Sequence, residues 1–339
     1  MTDAFEHVRL RGGGVSLPRL GFGTAPLGGL YTEVPDGQAR AVLDAAWNAG
    51  LRYFDTAPWY GYGLAEERLG EALRGREGYV LSSKVGRVLR ADIPPHSSQF
   101  GPDGTPGFKT SSPLNVEYDY SYDGFLRSFE DSLRRLGVER LDILFIHDPD
   151  AVGVSVGEIM RGGYRALHEL REQGLVGAIG AGMNQWEMPA EFLREGDFDV
   201  FLLAGRYTLL EQESLREFLP LCEERGAKVV IGGVYNSGLL AGPGPGAPYN
   251  YAPAPPEVLA RAQAIEAVCS RHGIPLKAAA LQFPLAHPAV ASVLVAGRVP
   301  EHLEENLRLL RAPIPPELWE DLKAGGLLAP DAPTPGAPG

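Results

Sequence analysis

Short apolar runs and longer amphipathic stretches alternate along most of this chain. Compact runs stand near residues 17, 52, 79, 141, 176, 200, 228 and 290, each the length of a buried strand. Between them, apolar side chains recur every third or fourth residue, the spacing of a helix with one buried face. Ala39, Val42, Leu43, Ala46 and Trp47 mark such a face over 37–50, and Phe125, Phe129, Leu133 and Leu136 over 121–136. Further helices are expected over 64–74, 156–172, 187–194, 213–224, 257–272, 276–285 and 301–310. Strands separated by helices pair in parallel. Eight such units over about 300 residues predict a (β/α)8 TIM barrel as a single α/β domain spanning 1–325. A doubly wound sheet would carry a Gly-rich phosphate turn after its first strand. The turn here, GFGTAPLGG, lacks the third glycine at the required spacing.

Three stretches depart from the rhythm. The opening, VRLRGGGVSLPRLGFGTAPLGG, predicts an N-terminal hairpin and then a strand over 17–21. Residues 88–120, rich in Pro, Gly and Ser, form a long loop after the third strand, which in a compact domain is functional or mobile. Its aromatics Phe100, Phe108, Tyr118 and Tyr120 are placed to cover a ligand. The end, LAPDAPTPGAPG, predicts a flexible Pro-rich tail over 326–339.

Composition narrows the function. A net charge of −12 and a pI near 5.1 argue against nucleic acid and against anionic membrane surfaces. No apolar run is long enough for a membrane span, and MTDAFEHVRL has no secretory pattern. Two cysteines, Cys222 and Cys269, in helical patterns suit a reducing cytoplasm. The partner expected is a small molecule.

Four polar residues end apolar strands or follow them closely: Asp55, Tyr60, Lys84 and His147. In α/β barrels that edge carries the chemistry. Lysine is seldom buried unless paired, and Asp55 is its natural partner; a purely structural ion pair is the bland alternative. A phenol ionises near 10 and is a poor base at neutral pH. An ammonium ~4 Å away interacts with a phenolate by about 4 kcal/mol at an effective dielectric of about 20, which draws Tyr60 toward the working range. Asp55 would hold Lys84, and His147 would donate to a substrate oxygen. The other histidines show no metal spacing, and no nucleophile elbow or phosphate loop appears.

The motifs FDTAPWYGYGLAEERLGEAL, LSSKVGR and LDILFIHDPD resemble, in order and spacing, the signatures of the aldo-keto reductases, over the chain to about residue 325. The resemblance implies that Asp55, Tyr60, Lys84 and His147 form the catalytic tetrad. It also implies a barrel that binds NAD(P) extended across its C-terminal face. DYSYDGFLRSFEDSLRRLG, HDPD and LLAGRYTLLEQ resemble the branch with L-fucose (D-threo-aldose), L-galactose and pyridoxal 4-dehydrogenases. This implies oxidation of an aldose at C1 to the lactone; pyridoxal oxidation, general aldehyde or ketone reduction, and a non-catalytic cofactor-binding barrel are the alternatives. By the same resemblance Asn184 contacts the nicotinamide amide. Tyr235, Asn236, Ser237, Gly238 and Leu239 line the pyrophosphate, Gly297 and Arg298 meet phosphate, and Glu305 and Asn306 meet adenine. Ala204, Gly232 and Gly233 stand where the family has a Gln and a stacking aromatic. His302 falls where an Arg would grip the 2′-phosphate of NADP, so NAD is preferred, with NADP possible through Arg298. Trp59 and Tyr118 are expected to wall the substrate. A monomer or small homo-oligomer fits the family habit.

Overall fold

A computed structural model describes residues 4–101, 103–250 and 252–336. Eight strands close a barrel: β1 (Leu20–Gly23), β2 (Tyr53–Asp55), β3 (Val80–Val85), β4 (Leu141–His147), β5 (Val176–Met183), β6 (Val200–Ala204), β7 (Lys228–Gly232) and β8 (Val290–Val295). Each pairs in parallel with its neighbours in sequence, and β8 returns to β1.

Alternation along the strands divides the molecule into two cores. Tyr53, Ile143, Phe145, Val200, Leu202 and Val230 fill the barrel interior, whose floor is closed by Leu10, Val15 and Leu17 of the N-terminal hairpin. Phe54, Leu81, Leu144, Ile146 and Ile179 point outward and join the apolar faces of the surrounding helices. Among these, α1 (Asp36–Asn48), α2 (Leu64–Leu73) and α3 (Tyr122–Leu136) follow the first strands. Ser121 caps α3 by accepting from the Gly124 N–H, and Gly137 ends it in the left-handed region.

The differences from the sequence reading are local. The strand expected over 17–21 is two elements: Ser16–Pro18 pairs with His7–Arg9 as the hairpin, and β1 begins at Leu20. Proline has no N–H to continue a ladder, so the chain changes partner at Pro18. The helix expected over 156–172 breaks at Gly162 into Val156–Arg161 and α4 (Gly163–Glu172). A side chain at Gly163 would meet the Phe125 ring at 2.5 Å, so the break lets α4 pack closely on α3. The stretch 213–224 is a short 3-10 turn followed by Phe218–Arg225. A helix over Pro316–Ala324 was not anticipated, although proline opens it and Gly325 ends it.

Of the two readings open for the long loop the structure takes the built one, and the expected tail needs correction. The segment 88–120 is built, not slack: Arg87–Arg90 and Asn115–Tyr118 form an antiparallel ribbon. Gln99 Oε1 accepts from the backbone N–H groups of His96 and Val116, which ties the loop between them. The expected tail is not free along its described length. Leu328 and Ala332 are each 1% exposed in the outer core, and Arg261 donates to the Leu327 carbonyl at 2.7 Å. Apolar burial outweighs the disorder that the prolines suggested; residues 337–339 lie outside the described residues.

Candidate active site

Register brings the polar strand ends together. Asp55 pairs across with Ser82, and Lys84 stands two residues further along β3, on the same inward face. His147 ends β4, opposite Gly182 of β5. The Lys84 stem runs over Gly182, within van der Waals reach of where a Cβ would stand, 3.4 Å away.

Lys84 is 2% exposed and Asp55 equally so. The ammonium donates to Asp55 Oδ2 and to the Thr56 carbonyl, each at 2.8 Å. Ser82 Oγ donates to Asp55 Oδ1 at 2.7 Å. The same ammonium lies 4.7 Å from the centre of the Tyr60 ring. The imidazole of His147 stands edge-on to that ring, 5.9 Å between centroids. Tyr60 is held from behind by a close chain crossing: a Cβ at Gly61 would sit 2.3 Å from the Gly28 carbonyl oxygen, and Gly61 has a φ of +68°. Only glycine fits both requirements there.

Burial pushes the Asp55 carboxyl up, against the pull of Lys84. The Lys84 ammonium loses hydration, yet Asp55 and Tyr60 leave it above its ordinary value. Burial also pushes the Tyr60 phenol up, and the opposing charge of Lys84 does not overcome this. That corrects the expected direction: in the free protein Tyr60 rests protonated at neutral pH. His147 is held well below its usual range by burial and by the cations Arg87 and Lys84, so its imidazole is neutral. Its Nδ1 is buried with no partner among the described residues, while Nε2 faces Asp148.

Beside these groups opens a cavity of about 780 Å³, lined by Tyr60, Lys84 and His147. Its wall is aromatic. Trp59 meets Phe108 edge-on at 5.9 Å, and Tyr60 lies 6.4 Å from Phe108. Trp59, Tyr118, Phe100 and Phe108 all line the cavity. Tyr120 does not: it is buried behind β4 and donates to the His147 carbonyl at 2.5 Å, so it supports the histidine instead of covering a ligand.

Sequence reading missed Arg87, Asp148, Thr56 and Ser82 as parts of this site. Arg87 stacks 4.6 Å over Trp59 and donates to Asp148 Oδ2 at 3.0 Å. The signal was present, since both charges sit in the quoted motifs LSSKVGR and HDPD.

The other expected positions fall into two groups. Asn184 lines the cavity and donates to Asp148 Oδ1 at 3.2 Å. Tyr235, Asn236, Ser237, Gly238 and Leu239 follow β7, and Gly297, Arg298, Glu305 and Asn306 follow β8, on the neighbouring rim. Tyr235 donates to Asn306 Oδ1 at 2.6 Å, joining the two segments. The Asn236 side chain turns inward to the Gly205 carbonyl and Glu211, and Leu239 is fully buried, so their backbones alone face the rim. Glu305 is paired with Lys277 at 2.7 Å. Arg298 donates to the Leu30 carbonyl at 2.8 Å, and its Nε is buried without a partner among the described residues. Gly233 and Gly238 on this rim both take positive φ, which glycine adopts without strain.

A strand-end tetrad of this kind, on a barrel with an open C-terminal rim, belongs to a recognised architecture, and comparison with known proteins agrees. The aldo/keto reductase family model matches residues 19–325. This chain belongs to the aldo/keto reductase family. It is 43% identical over 328 residues to pyridoxal 4-dehydrogenase of Microbacterium luteolum, covering 93% of this chain and 96% of the relative. It is 40% identical to D-threo-aldose 1-dehydrogenase of a Pseudomonas species, with the same shares covered. Identity to L-galactose dehydrogenase of Arabidopsis thaliana is 28%, covering 87% of this chain and 84% of that protein. A holo-form aldo-keto reductase from Bacillus halodurans has the same fold: TM-score 0.74, 24% identity, 94% of this chain and 96% of that chain. The protein is therefore an oxidoreductase, and the family works with a nicotinamide cofactor. The residues present fit such a group. The Arg298 Nε, buried without a partner among the described residues, suits a phosphate, and the Asn184 amide beside the tetrad suits a carboxamide. No described helix is long and apolar enough to cross a membrane.

Proposed function

We propose that this aldo/keto reductase oxidises cyclic hemiacetals to lactones, with an aldose of the L-fucose, D-arabinose or L-galactose type as substrate and NAD as the preferred cofactor. The observation that carries it is the convergence of Tyr60, Lys84 and His147 on one cavity with a flat aromatic wall. Aromatic faces suit the C–H face of a sugar ring, and they suit a pyridine ring as well. Pyridoxal is therefore the second reading, favoured by the 43% identical relative. The two substrates share one chemistry. Pyridoxal closes on its own hydroxymethyl group to a cyclic hemiacetal, so in both cases a ring carbon bearing O–H becomes a lactone carbonyl.

Asn184 and the rim after β7 and β8 would hold the cofactor, whose nicotinamide, when bound, accepts the hydride from that carbon. The hydroxyl proton passes to Tyr60, which must first be ionised. Lys84 stabilises the phenolate, and Asp55 keeps Lys84 aimed. His147, neutral, donates from Nε2 to the substrate oxygen and fixes its direction. Because burial raises Tyr60, the ionised fraction grows with pH. Oxidation is therefore expected to quicken into the alkaline range, and reduction to slow there.

The test is an assay of L-fucose, D-arabinose, L-galactose and pyridoxal with NAD and with NADP, the lactone identified by mass spectrometry. Tyr60→Phe should lower turnover by about 10² or more while cofactor binding, read by fluorescence titration, is kept. Turnover without lactone, or an undiminished Tyr60→Phe variant, refutes the reading.

A further inference from the structure

The cavity wall carries charged groups that the tetrad does not use, Asp148 among them. Asp148 follows His147 directly and is half-buried, its side chain 13% exposed. Its backbone is left-handed, with φ 39° and ψ 62°, a region uncommon for residues other than glycine. The surroundings over-determine it. Its N–H donates to the Gly182 carbonyl, and Tyr120 donates to its own carbonyl, both at 3.2 Å. The twist aims the carboxylate back toward the site. Oδ2 lies 3.6 Å from His147 Nε2, the nitrogen that addresses the substrate oxygen.

Two donors hold the carboxylate: Arg87 Nη2 on Oδ2 and Asn184 Nδ2 on Oδ1. A carboxylate offers about four lone-pair directions. Two are therefore unfilled by these contacts on a group that lines the cavity. Arg87 is itself clamped over Trp59, so the charge is fixed in position and cannot swing away. The group can accept a hydrogen bond from a neutral donor.

We propose that Asp148 is a specificity-determining residue that accepts a hydrogen bond from a hydroxyl neighbouring the reacting carbon. In an aldose that is the hydroxyl on the adjacent carbon. A site built to hold a substrate hydroxyl rejects the analogue that lacks it more strongly than an apolar pocket can. The inference rests on the oxidoreductase reading of the same site, but not on the hemiacetal chemistry proposed above.

The test uses the full chain in the reducing direction, with glyceraldehyde, which carries the neighbouring hydroxyl, and propanal, which does not. Wild type should favour glyceraldehyde in kcat/KM by about 10² or more. In Asp148→Ala that ratio should fall at least 10-fold, whatever the absolute rates. L-fucose against 2-deoxy-L-fucose, in oxidation, should show the same collapse. If Asp148→Ala does not fold, as thermal melting will show, Asp148→Asn supplies the ratio, with a smaller fall because its amide oxygen still accepts. Equal losses on both aldehydes would mean that Asp148 only braces Arg87 and His147, and would overturn the proposal. So would a wild-type ratio near one, or no wild-type turnover of either aldehyde. Failure of L-fucose and pyridoxal alone, with the aldehyde ratio intact, would remove the hemiacetal reading and leave this one standing.

Discussion

Replacing Lys84 by Met removes one charge from a pair that has almost no contact with water. Lys84 and Asp55 are 2% and 3% exposed at their side chains, and the ammonium supplies the carboxylate with its charged donor at 2.8 Å. In Lys84→Met, Asp55 keeps only the Ser82 hydroxyl. Breaking a buried pair on one side costs about 3–5 kcal/mol. For a chain of 339 residues the unfolding entropy is about 0.7 kcal/mol/K, so the melting temperature should drop by about 4–7 °C at neutral pH. The pH dependence identifies the cause. Without Lys84, burial acts on Asp55 against the Ser82 hydroxyl alone, and its folded pKa lies further above its unfolded value. Such a carboxyl destabilises the fold when ionised, so the deficit should be full at pH 8 and shrink as the pH falls toward the unfolded value of about 4. The second variant is decisive: Asp55→Asn added to Lys84→Met should recover most of the loss, because a buried pair replaced on both sides is often nearly neutral. Calorimetric or fluorescence melts from pH 5 to 8 read all three proteins against wild type. A single variant as stable as wild type throughout, or a double variant no better than the single, would refute this account of the pair. Activity should fall in both variants, and the oxidation profile of Lys84→Met should move to still higher pH, since the phenolate loses its counter-charge.

Other outcomes follow from the same coordinates. Gly61→Ala places a methyl 2.3 Å from the Gly28 carbonyl and must displace the Tyr60 loop, so kcat should drop at least 10-fold, with turnover and melting measured together. His147 is depressed well below its usual range by burial, so the folded state resists a proton that the unfolded chain takes up near pH 6.5; stability should therefore fall as the pH drops below that value. His287, held at about 4 by burial, acts in the same sense, so only His147→Asn with His287→Gln should flatten melts between pH 7 and 5.

How legible was this protein before folding? Barrel, strand order and the gathering of four polar residues at one rim were readable because they depend on periods of two and 3.6 residues and on polar residues at the ends of apolar runs. Asp55, Tyr60, Lys84 and His147 each terminate or closely follow such a run, and parallel pairing of consecutive strands carries them to one rim. What the chain could not show was how burial weighs against charge. Lys84 near Tyr60 suggested a phenol drawn toward neutrality, whereas the packed surroundings push it the other way, because desolvation depends on every neighbour at once. Nor could it show that Arg87 and Asp148, 61 positions apart, meet on the cavity wall. Tyr120 read as a possible cover and became a brace, and Leu328 and Ala332 read as tail and became core. Local pattern determined which elements form and which polar residues they carry to the rim; register, close packing and the removal of water decided which side chains line the cavity and how burial shifts their protonation.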